Sequence, residues 1–228
     1  MAASTARESA RRSKEALRAL KKEGRRETLE GYPRFGITVT KAYGVPMGTI
    51  HRIAKRFGRD HAAAGALWKT GVYEARILAA FLAEPERLTR RQMDAWAKDF
   101  DNWGICDTVC FVLFDKTPHA WKKVEAWSKR KEEFVRRAAF ALLWGLTVHD
   151  KRAEDERFVR GLALIQAAAT DERHYVKKAV NMALRATGKR NPELRAAALS
   201  TARKLALLTS ESARWVGRDA LRELSKRG

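Results

Sequence analysis

An indole and a carboxylate stand four residues apart at Trp103 and Asp107. On a helix that spacing sets them on one face, a turn from each other. An aromatic face attracts a cation, and a carboxylate held beside a developing positive charge stabilises it. The pair therefore has the parts to handle a cationic ligand or a cationic transition state. The same spacing is also that of an interface aromatic beside a surface acid, so the surrounding elements must decide.

The segment from Trp103 to Phe114 reads as one helix, capped by Asp101 or Asn102. Ile105, Val109, Val112 and Leu113 form its core stripe, and Trp103 and Asp107 lie on another face. Cys106 and Cys110 share this helix without the further ligands that a metal site needs, so they read as buried thiols in a reducing compartment.

Downstream, a helical pattern is stated three times. Phe134-Val135-Arg136-Arg137, Tyr175-Val176-Lys177-Lys178 and Trp215-Val216-Gly217-Arg218 share the order aromatic, Val, variable, cation. Each carries a Leu eight residues after its Val, at Leu143, Leu184 and Leu224, and the copies are 41 and 40 residues apart. Helical repeats of roughly 40–47 residues mark the HEAT and armadillo class. The expected fold is all-α, a curved solenoid of antiparallel helix pairs, with Arg137, Lys178 and Arg218 as a ladder of cations along it.

On the helix from Asp171, Val176, Val180, Ala183 and Leu184 make the core stripe, while Lys178, Met182 and Arg185 lie on the other side. The equivalent stripe one repeat earlier is Arg137, Ala141 and Trp144. Tyr175 reads as core.

The chain has 228 residues, with 47 Lys and Arg against 27 Asp and Glu, a net charge of +20. That imbalance calls for an acidic partner, with nucleic acid first. An anionic membrane surface is second, but the basic residues are spread along the chain instead of gathered in one amphipathic helix. No apolar run approaches the roughly 18–20 residues of a membrane span. Residues 1–26 superficially resemble a transit peptide, against which Glu8, Glu15 and Glu23 argue. Residues 1–228 read as a single repeat domain, with 1–31 as a basic N-terminal helix.

The pattern predicts about twelve helices with short connections. Ser4 or Thr5 caps the first, to Lys22, and 24–33 is a break. A short helix covers Gly36 to Tyr43, and Gly44-Val45-Pro46 opens another to Phe57. Asp60 caps a helix to Thr70, Tyr73–Leu82 follows, and Thr89 starts one through Lys98. Thr117-Pro118 starts the helix through Trp127. The remaining helices are Glu132–Leu146, Asp155–Ala168, Asp171–Ala186, Pro192–Leu208 and Ser210–Ser225.

The segments 99–107, 133–139 and 171–185, with Ala66 to Arg76 upstream, together resemble the DNA alkylation repair family. These are the AlkD-type alkylpurine DNA glycosylases, built from HEAT-like repeats, and the likeness runs from about Tyr32 through Asn191. The resemblance implies release of purines alkylated at N3 or N7 from duplex DNA, without cofactor or metal, by a monomer in the bacterial cytoplasm and nucleoid. It places the family's catalytic Trp and Asp on Trp103 and Asp107 and its DNA-contacting Arg on Arg137. With the ladder and its flanking residues, the expected DNA surface comprises Arg136, Arg137, Lys177, Lys178, Met182, Arg185 and Arg218. Two positions depart from the pattern: Met182 replaces a second active-site Trp, and Gly104 stands where Asp is frequent.

The implied chemistry needs few groups. An N3- or N7-alkylated purine is a cation and already an activated leaving group, so no general acid is required. Cleavage passes through an oxocarbenium-like sugar, which Asp107 would stabilise while positioning water. Trp103 would offer its face to the lesion or the sugar. Met182 fills space but has no π-face.

Three other readings stand beside this one. A non-catalytic binder of bent, branched or damaged DNA is favoured by Met182 and Gly104. A sequence-specific regulator would use Gly44 to Ala54 as a helix-turn-helix, with Thr49 and Arg52 reaching base edges. A protein scaffold without DNA is disfavoured by the one-sided charge.

Overall fold

The computed structural model describes residues 2–226, with side chains described from residue 7. Among these residues there are thirteen α-helices and no strand. Two compact units divide the chain, Met1–Leu113 and Phe114–Gly228.

The first unit contains α1 (Ala2–Lys22), α2 (Arg26–Gly31), α3 (Met47–Phe57), α4 (His61–Lys69), α5 (Tyr73–Leu82), α6 (Arg90–Lys98) and α7 (Trp103–Val112). Its centre is α5, where Tyr73, Glu74, Ala75, Ile77, Leu78, Ala79, Ala80 and Leu82 are all buried. α4 and α7 pack on it. The expected caps hold where a side chain reaches its own helix. Asp60 accepts from the Ala63 N–H, Thr89 from Gln92 and Asn102 from Ile105. Asn102, not Asp101, is thus the cap of α7. α1 begins at Ala2, so Ser4 and Thr5 lie within it and do not precede it.

Two expectations fail in this unit. Residues 24–33 are not simply a break, since α2 lies there. No helix forms over 36–43. The run Ile37-Thr38-Val39-Thr40 is β-branched and disfavours helix, and the backbone beyond it finds its partner elsewhere. The fully buried carboxylate of Glu74 accepts from the N–H groups of Tyr43 (2.9 Å), Gly44 (2.6 Å) and Val45 (3.2 Å). It also accepts from the Tyr32 hydroxyl at 2.8 Å. Gly44 has φ +76, and a Cβ there would lie 2.2 Å from the Arg25 carbonyl oxygen, so glycine is required.

The second unit contains α8 (Ala120–Trp127), α9 (Glu133–His149), α10 (Asp155–Ala168), α11 (His174–Thr187), α12 (Pro192–Ala206) and α13 (Glu211–Ser225). α9 is its buried centre and packs chiefly on α11. α12 packs on α13, which also meets α11. Asn191 and Ser210 cap α12 and α13, with Pro192 at the first helical position of α12.

α8 starts at Ala120, later than expected, because the Thr117 hydroxyl donates back to the Phe114 carbonyl and closes the preceding turn. α11 starts at His174 and not at Asp171. The Asp171 side chain accepts from the Arg173 N–H at 3.1 Å and folds the approach to the helix.

Candidate functional site

Asn102 fixes the start of α7, and Ile105, Cys106, Val109 and Cys110 bury its inner face. That orientation leaves Trp103, Asp107 and Thr108 half-buried on the opposite side. The expected sharing of a face by Trp103 and Asp107 is therefore realised. Both thiols are fully buried and form no disulfide.

Trp103 and Asp107 line one cleft of about 430 Å³ within the first unit. Its other walls are Tyr32, Phe35, Met47 and Tyr73, from the 3₁₀ turn after α2, the start of α3 and the start of α5. Glu27 lies on the rim, and no Lys or Arg is among the lining residues. In a protein of charge +20, this one cleft is aromatic and acidic. That combination suits a cationic ring.

The cleft is held in shape from behind. The Trp103 indole N–H donates to the Phe35 carbonyl at 2.8 Å, which fixes the ring plane. The rings of Tyr32 and Tyr73 meet at 5.1 Å. Burial first, then the charge of Glu74 and that of Asp101, pushes the Tyr73 hydroxyl up to about 12. It stays protonated at neutral pH. Burial and Glu74 raise Tyr32 still further. Gly104 has a local reason: a Cβ there would lie 2.6 Å from the Tyr73 hydroxyl oxygen.

The cations expected on the DNA surface fall into three groups. Arg137 is only 5% exposed and donates to the Tyr175 carbonyl at 2.7 Å, with its guanidinium 6.0 Å from the Tyr175 ring. The stripe Arg137, Ala141, Trp144 is mostly buried because α9 is the centre of its unit. It does not match the exposed stripe of α11. Arg136 pairs with Asp171 at 3.0 Å, and Arg185 pairs with Glu223 and, at 3.5 Å, Asp219. Lys177, Lys178 and Arg218 form no ion pair with another described residue. The Lys177 and Lys178 ammonium groups sit 5.4 and 4.8 Å from the centroid of Trp215. Lys178 and Arg218 are exposed, and Met182 is half-buried on the same side of α11 as Lys178.

Asp171 is pulled two ways. Burial raises its pKa, but hydrogen bonds from Arg173 and the charges of Arg173 and Arg136 outweigh that and hold it below the usual range.

Tyr175 is half-buried, not core as expected, and packs on Phe134 at 5.3 Å. The aromatics of the three copies, Phe134, Tyr175 and Trp215, are thus all half-buried, while of the three ladder cations only Lys178 and Arg218 are exposed. The regulator reading fails at Thr49, which is 4% exposed and accepts from Arg52 on its own helix. A residue so buried cannot reach a base edge. The spacing gave no hint of Tyr32, Phe35 and Tyr73 as cleft walls, because they come from three separate elements. Among the described residues no cluster could hold a metal, and no helix is long and apolar enough to cross a membrane.

No curated protein matches the chain in sequence. A solved structure is similar over 92% of this chain and 94% of its own, with a TM-score of 0.76 at 18% identity. It represents a family of proteins related to the HEAT-like repeat DNA glycosylases with affinity for branched DNA structures. At that identity the likeness shows the fold, which is the all-α HEAT-like repeat expected from the three copies. The model of the DNA alkylation repair enzyme family matches residues 15–224, nearly the whole length and both units. By that match the chain belongs to the DNA alkylation repair enzyme family.

Proposed function

We propose that this protein binds duplex DNA as a monomer and releases purines alkylated at N3 or N7, with Trp103 and Asp107 as its catalytic residues. The observation that carries the reading is their position on one cleft whose charged lining is wholly acidic. The bond from C1′ to the purine nitrogen breaks, and its electron pair neutralises the cationic base. The sugar is left oxocarbenium-like. The Asp107 carboxylate stabilises it and positions the water that adds at C1′ and then loses a proton. The Trp103 ring, fixed by its bond to Phe35, presents its face to the positive charge.

Lys177, Lys178 and Arg218 contact phosphates, since no acid among the described residues pairs with them. Arg136 and Arg185 reach DNA only by exchanging their carboxylates for phosphate. Arg137 acts through Tyr175, whose carbonyl it holds.

A second reading is a non-catalytic binder of bent or branched DNA. Met182, without a π-face, favours it, as does the affinity for branched DNA of the structurally similar protein. One experiment separates the two. Duplex DNA carrying N7-methylguanine is incubated with the protein, and free base is measured. Release by the wild type that is lost in Asp107→Asn, with binding kept, supports the enzyme. Tight binding by the wild type with no release leaves the binder.

A further inference from the structure

α13 closes the second unit and turns one face outward. Arg214, Trp215, Arg218 and Arg222 line a groove of about 500 Å³ on that face, and Lys177 of α11 forms the opposite wall. Trp215 is half-buried: its ring is anchored in the unit and borders the groove. Both ammonium groups of Lys177 and Lys178 stand over the ring.

The groove carries more positive than negative charge. Glu211 and Asp219 also line it, but Asp219 is engaged by Arg222, Arg185 and the Asn181 amide. Arg214 donates to the Thr209 carbonyl at 2.7 Å. Lys177, Lys178 and Arg218 remain to meet an anion. An aromatic face ringed by cations on flexible stems fits one ligand chemistry well: a nucleobase on the ring and its flanking phosphates on the cations.

We propose that Trp215 is a stacking platform for an unpaired nucleotide, making this groove a second nucleic-acid site distinct from the Trp103–Asp107 cleft. The Lys177 and Lys178 ammonium groups leave the ring for the phosphates when a base arrives. The exchange is favourable because base stacking together with two phosphate contacts outweighs the two exposed cation–π contacts given up. Bases inside a duplex are stacked on both sides and have no free face to offer, so the platform selects single-stranded segments. The inference rests on the DNA-binding reading above, but not on base release.

The test compares a blunt duplex with the same duplex carrying a single-stranded thymidine tail. Affinity is read by fluorescence anisotropy at one salt concentration for wild type, Trp215→Ala and Trp215→Phe, with thermal melting to confirm that each is folded. The wild type should prefer the tailed duplex. Trp215→Ala should lose roughly tenfold on the tailed duplex and little on the blunt one. Trp215→Phe keeps a ring and should keep most of the preference, which also guards against a folding defect in the alanine variant. Equal losses on both DNAs, or no tail preference in the wild type, overturn the platform. If the wild type binds neither DNA, the DNA-binding reading falls and takes the platform with it. If base is released from alkylated duplex but the tail preference is absent, only the platform falls.

Discussion

Gly104 stands where the resembled family frequently carries Asp, and the buried hydroxyl of Tyr73 gives the reason. Any Cβ at 104 would press within 2.6 Å of that oxygen. The Gly104→Asp variant should therefore lose about 1–3 kcal/mol, the usual cost of overpacking. In a Tyr73→Phe background most of that loss should disappear, since the nearest atoms would then be 3.2 Å away. Urea denaturation of the double-mutant cycle checks this, and two additive losses would contradict it. At this scale the sequence showed Trp103 and Asp107 plainly, because a spacing of four within one helix needs no tertiary information. It did not show Tyr73 as their neighbour, because α5 and α7 meet only in the folded unit.

At the scale of elements, Asp171 ties the approach of α11 to α9 through Arg136 and Arg173. Its folded pKa is depressed. The sign follows: its contribution is present above the unfolded carboxylate value of about 3.9 and is lost as pH falls through the lower folded value. Asp171→Asn should cost roughly 1–2 kcal/mol at neutral pH. The gap to wild type should narrow under acid, as measured by denaturation at pH 7 and near pH 3; a gap that widened in acid would contradict the assignment. Helix positions in this unit were legible because Val176, Val180, Ala183 and Leu184 mark a buried face by period alone, and all four are fully buried. The start of α11 was not legible. The pattern puts Asp171 at the start of the helix, and only its contacts with two arginines show that it shapes the turn before it.

Over the whole molecule, a charge of +20 sets the terms of DNA binding. Binding should weaken steeply with salt as counterions are released. Lys178→Glu should weaken binding about equally across sequences and make the slope of log Kobs against log salt shallower by at least about one, since it removes a phosphate contact and adds an acid. Affinity measured over a salt series decides this, and an unchanged slope would make Lys178 a solvating side chain. Arg136→Ala should change the slope less, because its charge is already spent on Asp171.

By itself the sequence determined the helical repeat, the core stripes, the surplus of positive charge and the pairing of Trp103 with Asp107. Each of these depends on composition or on contacts within one helix, where periodicity fixes the geometry. Tertiary structure decided which cations remain available. Arg137 and Lys178 hold the same place in the repeat, yet one is buried under a carbonyl and the other is exposed. The difference lies in burial: eleven of the 17 residues of α9 are buried, but only seven of the 14 of α11. The walls of the acidic cleft and the cations over Trp215 also come from helices distant in sequence, so no local pattern could announce them.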